Sequence, residues 1–405
     1  MKAIDVEAQL QVLMQGTEYG DAQLAAKMRA ELRERLLLGR PLRVYCGYDP
    51  TATDLHLGHT ITMRKLRQFQ ELGHEVTFLI GSYTALVGDP SDKNRARPVL
   101  TEEQVNENAR SYSEQAFRVL DREKTVVRAN GEWLSKLSLV ELIRLAQNFT
   151  VQQFLVRDNF AKRMQNGDPI FLHETFYALM QGYDACAMQT DVQVGGTDQL
   201  FNIIVAGRKL QEALGQRPQV GIITGILPGT DGVLRMSKST GNHIPVATTA
   251  EDMYGKLMSV PDAALNVYMR LVTRWSPAAV QRMEEQLASG ALHPRDGKMQ
   301  LAHEITEVFY GADGAAQGQA HFERVFQRRE LPDDMPVLAV VAGTKLVDFV
   351  VAEGLVPTKS EARRLIKQGG IKLGGVAVAD TEMLLQLGEA TVIQVGKRKF
   401  ARLMP

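Results

Sequence analysis

The chain has 405 residues, 44% of them hydrophobic and 23% charged, which is the balance of a soluble globular protein of roughly two to four domains. Its 47 basic and 47 acidic residues cancel, so bulk charge gives no sign of a nucleic-acid partner. No apolar run nears the roughly 18 residues that span a bilayer, the acidic start Met1–Glu7 resembles no secretory or transit peptide, and two cysteines, Cys46 and Cys186, make neither a disulfide framework nor a metal-ligand spacing. The expected compartment is the cytoplasm.

Residues 42–48 predict a buried strand, followed by a turn at Asp49-Pro50-Thr51. A helix is expected from about His56 to Leu72, ended by Gly73, and a second strand over 75–80. That order calls for parallel pairing through a right-handed crossover. Further strands are expected near 191–194 and 220–226, with helices over 138–155 and 173–188. Such alternation predicts an α/β fold, a Rossmann-like doubly wound parallel sheet. From 248 to 329 the pattern is helical alone, including 250–258 and 278–287. Residues 331–342, with Pro332 and Pro336, read as a linker. The tail predicts a helix over 360–368, capped by Ser360 and stopped by Gly369-Gly370, then short strands at 371–373, 376–378, 391–395 and 400–403.

The expected organisation is therefore a catalytic domain with a helical insertion over 1–230, a mobile loop and connector over 231–250, and an all-helical domain over 251–330. The linker and a small α+β domain over 343–405 follow. That last unit holds 10 Lys and Arg against 6 Asp and Glu, a net +4 that makes a weak footprint for a polyanion.

The segment from Asp49 to His59 follows the first strand, where an open parallel sheet receives ligands. A helix N-terminus there offers free N–H groups to phosphate, Gly58 permits close backbone approach, and His56 and His59 share one helical face. Such imidazoles can donate to a phosphate as its charge develops. A chance pair or two metal ligands are the alternatives; with no carboxylate or third ligand nearby, no metal site is expected. Tyr177, Gln181 and Asp184, at i, i+4 and i+7, form a polar stripe that on most helices faces water. Here Phe176, Ala178, Leu179, Met180, Ala185 and Cys186 flank it, so the helix reads as buried and the stripe as a pocket lining. In Gly195-Gly196-Thr197-Asp198-Gln199 the glycines admit a flat ring or ribose and the Asp can accept from ribose hydroxyls, although a plain turn is the default. Residues 84–97 read alone as a solvated basic loop. Arg363, Arg364 and Lys367 form a basic patch that a generic surface helix could also carry.

His56-Leu57-Gly58-His59 resembles the HIGH motif of class I aminoacyl-tRNA synthetases, and Arg235-Met236-Ser237-Lys238-Ser239 resembles their KMSKS motif, with Arg at the first Lys position. The Tyr177, Gln181, Asp184 spacing is similar to the tyrosine-binding helix of tyrosyl-tRNA synthetases. Residues 88–93 resemble their GDPSGK segment, with Asp92 in place of Gly, and residues 195–199 their GG[ST]DQ. Residues 356–367 resemble the RNA-binding domain shared with small-subunit ribosomal protein four, placed C-terminally as in bacterial-type enzymes of this family.

The resemblance covers essentially the whole chain and implies roles. Tyr177, Gln181 and Asp89 would hold the substrate ammonium, Asp184 and Tyr45 the phenolic hydroxyl, and Gln199 would lie near the carboxylate. Cys46, Gly47, Asp49, Pro50, His56, Gly58, His59, Gly195, Gly196, Asp198, Met236 and Lys238 would bind ATP. Thr51, His56, His59, Lys93, Arg97, Arg235 and Lys238 would form the catalytic set around the phosphates. Lys359, Arg363, Arg364 and Lys367 would contact RNA.

The expected function is activation of L-tyrosine by ATP, with Mg²⁺ carried on the nucleotide, followed by transfer to tRNA(Tyr), in a homodimer with no membrane partner. The attacking carboxylate needs no base, so catalysis would rest on positioning and charge stabilisation. Three other readings compete. A tryptophan-specific relative has no use for a hydroxyl-binding pair. An RNA-binding protein with a retired synthetase fold is opposed by the complete motif set. A different nucleotidyl transferase leaves the tail and the Tyr–Gln–Asp helix unexplained.

Overall fold

The computed structural model describes residues 5–50, 55–91, 101–327, 335–396 and 399–405. The chain divides into two compact units, Met1–Gln319 and Ala320–Pro405, each with its own apolar core.

In the first unit, β1 (Arg43–Tyr48), β2 (Glu75–Ile80), β3 (Thr125–Ala129), β4 (Val192–Gly196) and β5 (Val220–Thr224) form a parallel sheet in the order β3-β2-β1-β4-β5. β5, the edge strand opposite β3, is nonetheless buried at every position, so both of its faces are covered. The chain runs outward from β1 to β3, then returns to β4 on the other side. A crevice opens at such a reversal. The ladder joining β1 to β4 covers only Val44↔Val192 and Tyr45↔Gln193. Asp191 locks its base: the carboxylate accepts from Arg35 Nη1 at 2.8 Å, from both Arg40 terminal nitrogens at 2.8 Å, and from the Arg43 amide at 2.9 Å. Arg35 and Asp191 are both buried. Removing Asp191 would leave the buried Arg35 without its carboxylate, at about 3–5 kcal/mol.

Strands β1, β2, β4 and β5 stand where the sequence predicts them. β3 does not announce itself: it is a five-residue edge strand whose Val126 and Val127 are exposed. Two helix expectations change. The stretch 138–155 is two helices, Leu139–Ala146 and Val151–Leu155, because Thr150 and Gln153 form a second capping box that starts a new one. The helix expected from His56 opens as a 3₁₀ turn, Leu57–His59, and continues as α over Thr60–Glu71. His56 stands outside it in extended backbone (φ −120°, ψ 167°), so the two histidines do not share a helical face. Past the sheet come helices Ala250–Met258, Leu265–Val272, Pro277–Ser289 and Pro294–Phe322, the last broken at Gly311, whose φ of 72° suits glycine.

The second unit carries β6 (Val337–Ala339), β7 (Ile371–Leu373), β8 (Val376–Ala377), β9 (Thr391–Val395) and β10 (Lys399–Met404), in the order β6-β10-β9-β7-β8. Helices Leu346–Ala352 and Lys359–Lys367 pack on it through Leu346, Phe349, Val350, Ala362 and Ile366. Two expectations are corrected here. The basic helix is capped by Thr358, whose hydroxyl accepts from the Glu361 amide at 3.2 Å, and not by Ser360. The presumed linker 331–342 contains β6, which pairs parallel to β10 and is tied by Arg402 N–H to Pro336 O (2.9 Å) and Val340 N–H to Met404 O (2.8 Å). No helix among the described residues is long and apolar enough to cross a membrane.

Candidate active site

A cavity opens at the C-terminal ends of β1 and β4. It gathers Tyr45, Cys46, Gly47 and Asp49 from β1 and its loop, and His56, Gly58 and His59 from the turn that follows. Asp89 joins them, with Tyr177, Gln181 and Asp184 from the Leu172–Ala187 helix, Gly195, Gly196, Asp198 and Gln199 after β4, and Arg235 and Met236. Pro50 is buried but does not line the cavity; its carbonyl accepts from Asn108 Nδ2 at 2.8 Å. Lys238 is exposed on its loop, near enough that its charge acts on His56 and His59. Thr51, Asp92, Lys93 and Arg97 lie outside the described residues.

Two buried groups share one part of the cavity. Asp184 Oδ1 accepts from Trp133 Nε1 at 2.7 Å, and Oδ2 from Asn130 Nδ2 at 3.2 Å. Burial nevertheless raises this carboxyl to about 8. The Tyr45 hydroxyl is buried with no hydrogen-bond partner among the described residues. An orphan of this kind costs about 1–3 kcal/mol, which a ligand hydroxyl would relieve. Burial also lifts its pKa well above the ordinary phenol value, so it keeps its proton. Asn130 and Trp133 belong to no motif. Asn130 directly follows β3, so recognising that edge strand would have put it at a ligand-facing strand end.

A polar chain runs on from there. Asn130 Nδ2 also donates to Thr84 Oγ1 (3.0 Å), Thr84 to Asp49 Oδ1 (2.8 Å), and the Tyr177 hydroxyl to Asp49 Oδ2 (2.9 Å). Gly81 makes room: a Cβ there would lie 2.0 Å from Asp49 Oδ1. With its O–H donated to Asp49, the Tyr177 oxygen has lone pairs left to accept with. Gln181 Oε1 accepts from Asn202 Nδ2 at 2.9 Å. The same amide reaches Gln199 Oε1 at 3.0 Å, and Gln199 Nε2 donates to Asp89 Oδ2 at 2.7 Å. Gln199 is thus a bridge between Asp89 and Asn202. Asn202, fully buried in the π-helical turn Phe201–Gly207, also belongs to no motif. Its signal was a single amide in an otherwise apolar run.

On the histidine side the two imidazoles meet at a tilt, ring centroids 3.8 Å apart and planes 36° apart. The His56 amide donates to His59 Nδ1 at 3.2 Å, so the neutral His59 ring carries its proton on Nε2. His56 Nδ1 is buried without a partner among the described residues. Burial, then the positive field of His59, His243, Arg235 and Lys238, lowers His56 to about 2. Burial, then Arg235 and Lys238, lowers His59 to about 4. Both are neutral donors. The segment after the cationic loop is laced to this turn: Leu57 N–H donates to Ile244 O and Val246 N–H to Leu55 O, each at 2.9 Å, with an isolated bridge at His56↔Pro245. Burial holds the Cys46 thiol up at about 11, which excludes a reactive thiolate.

Residues 38–327 match the family model for tRNA synthetases class I (W and Y), and residues 344–390 match an S4 domain. The chain is 47% identical to the tyrosine–tRNA ligase of Moorella thermoacetica over 98% of its own length and 96% of the relative's. It is 48% identical to that of Thermotoga maritima over 92% and 93% respectively. Among solved structures, a C-terminally truncated mitochondrial tyrosyl-tRNA synthetase from Aspergillus nidulans superposes with a TM-score of 0.63 at 23% identity, covering 79% of this chain and 94% of that one. A tyrosyl-tRNA synthetase with L-tyrosine from Archaeoglobus fulgidus gives 0.60 at 23% identity, covering 78% and 100%. At that identity the two structures speak for the fold.

Neutral imidazoles make a checkable expectation. Histidine Cε1–H NMR signals of His56 and His59, assigned with His→Gln variants, should not titrate between about pH 7 and 5, where an unperturbed histidine gains its proton. A midpoint near 6.5 for either would mean that an imidazolium meets the phosphates.

Proposed function

The chain belongs to the class I tRNA synthetases specific for tryptophan and tyrosine, and on that premise we propose that it activates L-tyrosine with ATP and esterifies the product onto tRNA(Tyr). The orphaned Tyr45 hydroxyl lining one cavity with buried Asp184 carries the choice of tyrosine. Indole has no hydroxyl to satisfy either group. The ammonium of tyrosine is accepted by Tyr177, Gln181 and Asp89, whose acceptor atoms are oriented by Asp49, Asn202 and Gln199.

In the first step the tyrosine carboxylate attacks the α-phosphate of ATP in line, forming the P–O bond of the adenylate as the bond to pyrophosphate breaks. His56 and His59 donate as uncharged groups, and Lys238 and Arg235 supply positive charge to the departing pyrophosphate. By resemblance Thr51 joins the histidines as a donor, and Lys93 and Arg97 join the cations. In the second step the terminal ribose hydroxyl of the tRNA attacks the adenylate carbonyl and AMP leaves. Mg²⁺ comes in on the nucleotide and neutralises phosphate charge. The residues fit that reading, since Asp49, Asp89 and Asp184 are already engaged by protein donors.

The exposed face of the Lys359–Lys367 helix presents Lys359, Arg363, Arg364 and Lys367 to the tRNA backbone. Leu139, Val140, Ile143, Val151, Val156, Met164 and Leu172 are exposed within one short stretch, Leu139 at 72% and Val156 at 73%. We assign this apolar face to a second copy of the chain, which gives a cytoplasmic homodimer.

Tyr45→Phe and Asp184→Ala should each erode the preference for tyrosine over phenylalanine in ATP–pyrophosphate exchange. Sites that bind a substrate hydroxyl are known in this enzyme class to reject phenylalanine by about 10⁵. An unchanged ratio of kcat/KM in both variants would remove the pocket assignment. A chain shortened to residues 1–327 should keep adenylate formation and lose most tRNA charging; full charging at physiological salt would deny the tail its RNA contact. Ile143→Asp should shift the protein from dimer to monomer in sedimentation velocity, and a parent that already sediments as a monomer would refute the assigned interface.

A further inference from the structure

The segment carrying Arg235 and Lys238 is built as a small hairpin. Met236 N–H donates to Leu227 O at 2.9 Å and Gly229 N–H to Leu234 O at 2.8 Å, with an antiparallel bridge at Pro228↔Arg235. Asp231 Oδ1 accepts from the Val233 and Leu234 amides at the tip, both at 2.8 Å. Apolar packing does little to hold it: Met236 is buried, but Val233, Leu234, Arg235 and Lys238 are exposed.

One buried side chain reaches all of its parts. Asn242 Nδ2 donates to Asp231 Oδ2 at 2.6 Å and lies within reach of the Leu234 and Arg235 carbonyls at 3.3 and 3.2 Å. Its Oδ1 accepts from the Ser237 amide at 2.8 Å and from Thr240 Oγ1 at 2.7 Å. Its own carbonyl accepts from Thr230 N–H at 2.9 Å. Gly229 is fitted to it, since a Cβ there would sit 2.2 Å from Asn242 Nδ2. Two residues further on, Ile244 O accepts from Leu57 N–H, beside His56.

We propose that Asn242 is the positioning residue of the cationic loop. Together with Asp231 and Gly229 it forms a latch that fixes where Arg235 and Lys238 stand relative to His56 and His59. It acts through those cations and touches no substrate. The assignment rests on the adenylate chemistry proposed above. An amide suits the task because its two ends differ: one donates to Asp231 and the carbonyls while the other accepts from Ser237 and Thr240. A carboxylate lacks the donors, and an alkyl group lacks both.

The test measures ATP–pyrophosphate exchange and single-turnover adenylate formation on full-length variants, with Lys238→Ala as the reference. Asn242→Ala and Asn242→Asp should each lower kcat by about tenfold to a hundredfold, the scale of loss from a misplacement of about 1 Å. KM for ATP should rise while KM for tyrosine stays within about twofold. Asn242→Asp sets a second carboxylate against Asp231, so adding Asp231→Asn to it should recover part of the loss. Gly229→Ala should act in the same direction as Asn242→Ala. Trypsin should cut after Arg235 and Lys238 faster in the Asn242 variants than in the parent, at an unchanged melting temperature.

A slow Lys238→Ala beside a fully active Asn242→Ala would overturn the latch and leave the adenylate reading standing. A fully active Lys238→Ala would remove the loop from catalysis, and the latch with it. A melting temperature that falls in step with the rate, or a matching rise in KM for tyrosine, would make Asn242 merely structural and overturn the proposal.

Discussion

Parallel strands joined by right-handed crossovers grow outward from β1 in one direction, and after β3 the chain must return to β4 on the far side. No crossover can cover the point where the two directions part. The β1–β4 ladder is short, and Asp191 holds its base with two guanidiniums and a backbone amide. Strand ends from both directions therefore open into one crevice, and every loop that leaves a C-terminal strand end must border it. Residues from at least six separate stretches meet there because strand ends from both directions open onto it.

Within the crevice, the groups proposed to recognise the two ends of the amino acid form mechanically one object. Trp133 and Asn130 hold Asp184, Asn130 holds Thr84, Thr84 holds Asp49, and Asp49 accepts from the Tyr177 hydroxyl. A buried network of this kind is rigid when satisfied, because each broken link leaves a desolvated polar group behind. The position of Asp184 is thereby fixed relative to that of Tyr177, the groups proposed to meet the hydroxyl and the ammonium. Beside this network the Tyr45 hydroxyl has no partner among the described residues, and a ligand's own hydroxyl can supply one.

Much of this was legible in the sequence, and the illegible part has physical causes. Strands β1, β2, β4 and β5 show as apolar runs because burial on both faces demands them. β3 faces solvent along one edge, so it needs no such run, and Asn130 was lost with it. Tyr177, Gln181 and Asp184 show because helical spacing puts them together. Trp133, Asn202 and Asn242 do not, since each acts on a partner that only tertiary folding brings near. His56 illustrates a subtler limit. Sequence spacing suggests one helical face, yet the backbone is extended at His56, and the rings meet through the His56 amide and His59 Nδ1 instead. The Ser360 cap was a shift of two residues along a stretch where Thr358 and Ser360 are both competent caps.

Charge is distributed across the phosphate side in a way that desolvation dictates. A buried cation beside other cations would face both lost hydration and repulsion, and burial accordingly keeps His56 and His59 neutral. They remain useful, because a neutral N–H already in place strengthens as negative charge grows on the phosphate and requires no reorganisation. Permanent charge is carried by Arg235 and Lys238, exposed on a hairpin where water stabilises them and where the proposed polyphosphate would supply the opposite charge. That division creates a mechanical demand. Donors built into the floor are placed by the sheet, but cations on an exposed hairpin have no core to place them. A loop in that position needs an internal polar anchor, and Asn242 supplies one that ties its tip to its cationic segment, two residues before the Ile244 carbonyl that accepts from Leu57.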